Sequence, residues 1–115
     1  MAETIFSKII RKEIPANIVY ESDSVLAFKD IDPQAPVHIL IIPKTEIATV
    51  SDIKGNEHSA ILTEMFEAAN KIAAENGIDK EGFRLVINCG ENGGQAVNHL
   101  HMHILGGRKM NWPPG

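Results

Sequence analysis

Residues 99–105 alternate histidine with apolar residues, in the order His-Leu-His-Met-His-Ile-Leu. A β-strand sends successive side chains to opposite faces and rises about 3.3 Å per residue. The run therefore predicts a strand in which His99, His101 and His103 share one face, about 6.6 Å apart along the strand. The apolar residues between them face a core, so that one side of this strand is anchored and the other carries reactive groups.

The rest of the chain mixes β-prone runs with two helical patterns, and it lacks the regular strand–helix alternation of a parallel sheet. Apolar residues at three- and four-residue intervals predict one long helix, while a run from Ile5 that ends before Pro15 predicts a short one. The pattern favours the α+β class, with an antiparallel sheet and its helices on one face. In chain order, we expect a helix capped by Thr4, strands over 18–21, 25–30 and 37–43, a helix over 57–76, and strands over 83–88 and 98–105.

The composition is that of a single globular domain, which we place at residues 1–115. No apolar stretch approaches the ~20 residues of a membrane span, and we expect no membrane partner. The formal net charge is −4 and no basic cluster extends beyond residues 8–12, so a nucleic-acid polymer is not an expected partner. The first residues do not resemble a secretion signal, and the single cysteine, Cys89, is expected to be a small buried hydrophobe. These features predict a cytoplasmic protein.

The histidine face has three interpretations. The residues can be satisfied structural histidines, which is the usual role of a lone imidazole. They can be metal ligands, with Cys89, His38, His58 or Glu46 completing a site with two of them, although no familiar zinc-ligand spacing is present. They can also carry nucleophilic catalysis, in which a middle imidazole attacks phosphorus while its neighbours fix its tautomer and stabilise charge.

A glycine-rich connection over residues 90–95 immediately precedes the histidine run. Glycine allows main-chain N–H groups to approach anionic oxygens closely. Gly93-Gly94 alone is weak evidence, because any tight connection can contain it. Beside three imidazoles it favours the third interpretation, with phosphorus as the electrophile and no metal or other cofactor.

The run His99–Leu105 matches the His-φ-His-φ-His-φ-φ signature of the histidine triad (HIT) superfamily, in which φ is a hydrophobic residue. The chain also resembles the histidine triad nucleotide-binding protein (Hint) branch from end to end. The other matching segments are residues 4–10, 13–15, 32–36, 42–44, 93–95 and 112–115.

This resemblance implies a HIT-like fold with a five-stranded antiparallel sheet, one long helix and one short helix, and two subunits forming a homodimer. It implies a nucleoside phosphoramidase that hydrolyses the P–N bond of purine nucleoside 5′-phosphoramidates, such as AMP joined to a lysine amine. His101 would form the nucleotidyl intermediate, assisted by His99, His103 and His38. The tail over residues 106–115 would lie near the dimer interface and the active site, and Trp112 would reach the partner's site.

The resemblance also implies the nucleotide-binding residues. Asp30 would accept hydrogen bonds from the ribose hydroxyls, while His101 and His103 face the phosphate. Of the residues expected at the base, Ile9 and Leu40 can equally be core residues. The residues expected to line the base pocket are Ile5, Phe6, Ile9, Phe28, Ile31 and Leu40, and those expected at the phosphate are Asn88, Gly94, Gln95 and Ala96.

The chain departs from the branch at three positions. Ala96 replaces a serine whose hydroxyl would reach the phosphate, which removes one hydrogen bond of about 1 kcal/mol. Glu46 stands where many relatives have histidine, and Asn98 where they often have tyrosine. Three alternatives to the phosphoramidase remain open at this point: a purine nucleotide-binding or interaction module without catalysis, a metalloprotein, and a HIT branch that acts on dinucleoside polyphosphates or transfers nucleotides.

Overall fold

The structure is a computed structural model that describes residues 3–115; Met1 and Ala2, on which the expectation about a secretion signal partly rests, lie outside it. The long helix and the strands other than the histidine strand begin and end close to the predicted residues. The elements are α1 (Ile5–Ile10), β1 (Ile18–Glu21), β2 (Val25–Lys29), β3 (Val37–Pro43), a 3-10 turn (Val50–Asp52), α2 (Gly55–Glu75), β4 (Phe83–Val86), α3 (Gly90–Gly93) and β5 (Met102–Gly106).

The five strands form one antiparallel sheet in the order β1-β2-β3-β5-β4, which confirms the predicted α+β class and sheet. The register places Phe28 opposite Leu40, Leu40 opposite His103 and His103 opposite Val86. These four residues are therefore aligned across β2, β3, β5 and β4. The histidine run lies in the middle of the sheet, beside β3.

Each face of the sheet is covered by a different helix. α2 packs on the face that carries Ile39, Ile41 and Met102. α1 packs its Phe6 and Ile9 on the opposite face, which carries Leu26, Phe28, Leu40 and Ile42. The prediction that the helices share one face is wrong, because the continuous apolar run of β3 is buried on both sides and each side needs its own cover.

The glycine-rich connection contains a short helical turn, α3, that the sequence analysis does not predict. Gly94 ends it in the left-handed conformation, with φ of 79°, which glycine adopts without steric cost. The N-terminal cap of α1 is as predicted: the Thr4 hydroxyl accepts from the Ser7 N–H.

The histidine strand is shorter than predicted, since β5 begins only at Met102. With Ile41 opposite Met102, the register would place Pro43 opposite Leu100, and proline has no N–H to donate to a neighbouring strand. The Leu100 N–H instead donates to the Ile47 carbonyl at 2.7 Å. His99 and His101 therefore lie in an extension that leaves the sheet.

The alternation of faces survives this break. Leu100, Met102 and Ile104 belong to the core beneath α2. The rings of His99 and His101 contact Phe6 of α1, on the other face. The prediction that apolar and histidine side chains take opposite faces is thus confirmed.

Among residues 3–115, no helix has the length and apolarity that crossing a membrane would require.

The end of β5 is fastened to the loop between β2 and β3. Gly107 has φ of 89°, and a Cβ placed on it would lie 2.8 Å from the Cβ of Pro36. The next residue, Arg108, donates from Nε to the Gln34 carbonyl at 3.1 Å. This contact holds the loop that enters β3 just before His38.

Replacing Gly107 by alanine is expected to destabilise the protein by about 1–3 kcal/mol, because the new Cβ combines an unfavourable φ with a clash against Pro36. Urea denaturation measures the change. Gly55→Ala is the matched control, since a Cβ there meets nothing within 4 Å and alanine favours the helix. Equal stabilities of the two variants would contradict this account of Gly107.

Candidate active site

The three histidines of the run and His38 form a continuous row beside α1. The His101 ring lies 5.1 Å from the His103 ring, between centroids, and the His103 ring lies 5.2 Å from that of His38. Phe6 packs edge-on against His101 at 5.1 Å and against His99 at 6.1 Å. The four imidazoles that the sequence analysis singles out are therefore brought together.

Two carbonyl groups fix the orientation of His99 and His101. The Nε2 of His99 lies 2.7 Å from the Pro43 carbonyl, and the Nδ1 of His101 lies 2.7 Å from the His99 carbonyl. A carbonyl oxygen only accepts, so each of these ring nitrogens carries the proton and donates it. In the neutral ring of His101 the free lone pair is consequently on Nε2, which makes no hydrogen bond within the described residues.

His38 and His103 form a second ordered chain. The Gln34 main-chain N–H donates to the Nδ1 of His38 at 3.0 Å, which makes this nitrogen an acceptor. The proton of neutral His38 is then on Nε2, from which it is donated to the Nδ1 of His103 at 2.9 Å. The same Nε2 lies 3.5 Å from the Asp30 carboxylate. His103 is left with its own proton on Nε2.

The Nε2 of His103 is the only fully buried side-chain nitrogen or oxygen without a hydrogen-bond partner among residues 3–115. Leaving a buried donor unpaired costs about 1–3 kcal/mol, so such a group calls for a functional explanation. Burial lowers the pKa of His103 to about 4, helped by the neighbouring His101 and His38. The ring is therefore neutral at pH 7 and holds a single N–H ready for an acceptor.

Burial also lowers the pKa of His99, although its hydrogen bond to the Pro43 carbonyl opposes the shift. The His99 ring is thus neutral and serves as a donor to β3. This bond holds His99 in place, and the carbonyl of His99 in turn orients the His101 ring. The tautomer of His101 accordingly depends on a main-chain group two residues earlier in the chain.

A cavity of about 410 Å³ lies on the α1 side of the sheet, next to the imidazole row. All seven residues that the sequence analysis assigns to the base and ribose line it, and Ile9 and Leu40 are at the same time core residues. The sequence analysis did not predict the other five lining residues. The full lining is Ile5, Phe6, Ile9, Ile14, Pro15, Ala16, Asn17, Phe28, Lys29, Asp30, Ile31 and Leu40.

The cavity is apolar at one end and polar at the other. Ile31 is 98% exposed and stands at the rim, where a large apolar side chain has no packing role. Asp30 lines the cavity and also reaches His38. His101 itself is buried, with 5% exposure, and the ring of Phe6 lies between it and the cavity.

The residues expected at the phosphate lie in the connection that follows β4. The side chain of Gln95 donates to the Ala48 and Val97 carbonyls and accepts from the Gly90 N–H. The side-chain amide of Gln95 therefore stabilises the glycine-rich connection. Asn88, Gly94 and Ala96 belong to the same connection but line neither cavity beside the triad.

Cys89, at the start of this connection, is exposed, so the expectation of a buried hydrophobe is wrong. Its thiol lies 3.6 Å from the Ser51 hydroxyl, and hydrogen bonds from Ser51 lower its pKa. The short α3 places the residue at a helix start on the surface, which composition alone does not reveal.

Trp112 is 83% exposed. The tail that carries it is held by the hydrogen bond from Arg84 to the Asn111 carbonyl, at 2.8 Å. This bond joins the tail to β4, the edge strand of the sheet.

One group of side chains among the described residues has metal-ligand geometry: donor atoms of Asp30, His38 and His103 lie within 4.8 Å of one another. Cys89, His58 and Glu46, considered from the sequence, do not belong to it. An ion on this group would have to displace the proton that His38 donates to His103, since both nitrogens are already joined by that bond. Metal binding and the ordered proton chain are thus mutually exclusive states.

The chain matches the HIT domain family over residues 11–110. The purine nucleoside phosphoramidase of Escherichia coli (strain K12) is 56% identical over 108 residues, which cover 94% of this chain and 90% of that protein. A 14 kDa zinc-binding protein of Brassica juncea is 54% identical over 114 residues, which cover 98% of this chain and 100% of that protein. The crystal structure of a HIT family hydrolase from Legionella pneumophila aligns with a TM-score of 0.95 at 49% identity, over 98% of this chain and 100% of that one.

The likeness extends over nearly the whole chain and includes the imidazole row. This protein belongs to the HIT domain family, and within it to the histidine triad nucleotide-binding branch.

Proposed function

We propose that this hydrolase is a nucleoside phosphoramidase that cleaves the P–N bond of purine nucleoside 5′-phosphoramidates through a nucleotidyl intermediate on His101. The observation that carries the proposal is the pair of hydrogen-bond chains. One leaves the lone pair of neutral His101 on Nε2, and the other presents the unpartnered N–H of His103 beside it. Attack on a phosphoryl group requires a nucleophile and, beside it, a hydrogen-bond donor that stabilises the developing charge.

The nucleoside occupies the cavity of about 410 Å³. Its base lies among the apolar side chains of α1 and β2, with Ile31 closing the rim. Asp30 accepts from the ribose hydroxyls at the polar end, adjacent to His38. This placement puts the 5′ side of the sugar toward the imidazole row and explains the exposed isoleucine.

In the first step, the lone pair on Nε2 of His101 attacks phosphorus. The P–N bond breaks, its electron pair stays with the departing nitrogen, and the amine leaves after taking a proton from solvent. The N–H of His103 donates to a phosphoryl oxygen as charge develops there. Because this donor is already fixed by His38 and Gln34, it needs no reorganisation when the reaction occurs.

In the second step, water attacks phosphorus, a P–O bond forms and the P–Nε2 bond breaks, while one proton of the water passes to solvent. The nucleoside monophosphate leaves and the lone pair returns to His101. Asn88, Gly94, Gln95 and Ala96 of the glycine-rich connection lie at the phosphate. Ala96 offers no hydroxyl, so turnover proceeds with one donor fewer than a serine would give.

Replacing His101 by alanine is expected to lower kcat/KM on an AMP-amine phosphoramidate by on the order of 10³-fold or more, since no other group supplies the nucleophile. Steady-state assays measure the loss, and rapid-quench mass spectrometry without acid detects the AMP adduct on His101 in the wild type. His58→Ala is the matched control, because His58 lies in α2 and donates nothing to this site.

A wild type no faster than His101→Ala would refute the mechanism. Tight AMP binding without turnover would instead favour a non-catalytic nucleotide-binding module.

Acid should destabilise the folded chain between about pH 6.5 and pH 4. The folded pKa of His103 is about 4, whereas an imidazole in the unfolded chain takes up its proton near 6.5. In this window the unfolded state binds more protons, so the free energy of unfolding falls as pH falls, by at most about 1.4 kcal/mol per pH unit for one imidazole. Urea denaturation at a series of pH values tests this. His103→Gln should show a shallower fall, and identical slopes would contradict the assignment.

The protein acts as a homodimer in which Trp112 contributes to the partner's active site. Strand β4 is an edge of the sheet, and an edge strand offers unpaired main-chain groups to a second copy. The exposed Trp112, together with exposed Phe66 and Ile87, supplies the apolar surface that such a contact buries.

Sedimentation equilibrium is expected to give twice the mass of the 12.6 kDa chain. Trp112→Ala should retain activity but change the relative kcat/KM of phosphoramidates that differ only in the amine, by about 3- to 10-fold, the range expected for a lost aromatic contact. A monomer at all concentrations, with unaltered amine preference in the variant, would exclude the dimeric site.

A further inference from the structure

A second cavity, of about 400 Å³, lies beside the histidine row and is nearly equal in size to the nucleoside cavity. Its lining includes Ser7 from α1, Arg11 directly after α1, Lys44 and Glu46 from the segment after β3, and His99. The two cavities use different faces of α1, because Ile5, Phe6 and Ile9 face the first. None of the base-pocket residues lines the second.

The second cavity begins next to the proposed nucleophile. His99 lines it directly, and the carbonyl of the same residue accepts the Nδ1 proton of His101. Phe6 packs against both of these rings and, at 5.5 Å, against Phe28 in the wall of the nucleoside cavity. His99 therefore borders the second cavity, Asp30 beside His38 borders the first, and His101 lies between these two ends of the row.

The charges around the second cavity are paired, with one exception. Arg11 forms ion pairs with Glu3 and Glu13, and Lys44 pairs with Glu21 at 2.8 Å. Among residues 3–115, Glu46 has no ion-pair partner, although it is close enough to His99 to act on it electrostatically. The cavity thus holds one uncompensated carboxylate.

We propose that this cavity is the leaving-group subsite and that Glu46 selects amines that carry a second positive charge. The inference rests on the proposed phosphoramidase function and names its substrate class. A substrate in which phosphorus joins a nucleoside to an amine has two halves, and the row of histidines has a cavity at each end. With the nucleoside in the first cavity, the carbon chain of the amine extends past His99 into the second, where Glu46 pairs with its distal ammonium group.

The test uses two AMP phosphoramidates of equal length: one made from 1,5-diaminopentane, whose tail ends in ammonium, and one from 5-amino-1-pentanol, whose tail ends in a neutral hydroxyl. kcat and KM are measured separately for the wild type, Glu46→Gln and Glu46→Lys. Glu81→Gln is the control, since Glu81 is an exposed carboxylate in the α2–β4 connection and lines neither cavity beside the triad.

The wild type should have the lower KM for the ammonium tail. Glu46→Gln is expected to raise that KM about three- to fivefold with kcat unchanged, which is the size of one partly exposed ion pair, and to leave the hydroxyl substrate unaffected. Glu46→Lys should reverse the preference, and Glu81→Gln should match the wild type.

Equal effects of Glu46→Gln on both substrates, or no effect on either, would overturn the subsite while the phosphoramidase activity stood. Failure of the wild type to hydrolyse either substrate would overturn both, because the subsite depends on that activity. A reversed preference in Glu46→Lys also separates charge recognition from damage to the fold, since a damaged site loses activity on both tails.

Discussion

The hydrogen bond from the Gln34 N–H to the Nδ1 of His38 sets the direction of the protons in the active site. A main-chain N–H only donates, so His38 has to accept at one nitrogen and donate at the other. The single ring proton of neutral His103 is then on Nε2, the atom that under the proposed function donates to a phosphoryl oxygen. The loop that supplies Gln34 is itself held by Arg108 and by the contact between Gly107 and Pro36, so the end of β5 helps to fix the histidine row.

Much of this arrangement is encoded locally. Strict alternation in the histidine run separates a core face from a reactive face, and this holds even where the strand itself ends at Met102. The seven residues that the resemblance to the HIT family assigns to the base and ribose all line the cavity of about 410 Å³. The alternation of faces depends on neighbours along the chain, on which propensity and periodicity act.

Other features depend on residues far apart in sequence. Pro43 ends the pairing of β5 because it faces the strand without an N–H, and that register is fixed only when the sheet forms. The bond between His38 and His103 spans 65 positions, and the pocket formed by α1 with Lys44 and Glu46 unites segments that no periodicity connects. In the sequence, nothing distinguishes Glu46 from other surface carboxylates. Only the fold shows that Glu46 has no ion-pair partner among residues 3–115.

His103 attracts an anion without being charged. Its ring is neutral at pH 7, and the Nδ1 of His38 accepts a hydrogen bond from the Gln34 main-chain N–H, so the attraction that His103 offers to an anion comes from aligned N–H dipoles. The field of a dipole falls off faster with distance than that of an ion, and the chain as a whole carries −4. The dipoles of the histidine row therefore do not steer an anion from afar, and they hold it only once its oxygens reach the N–H donors.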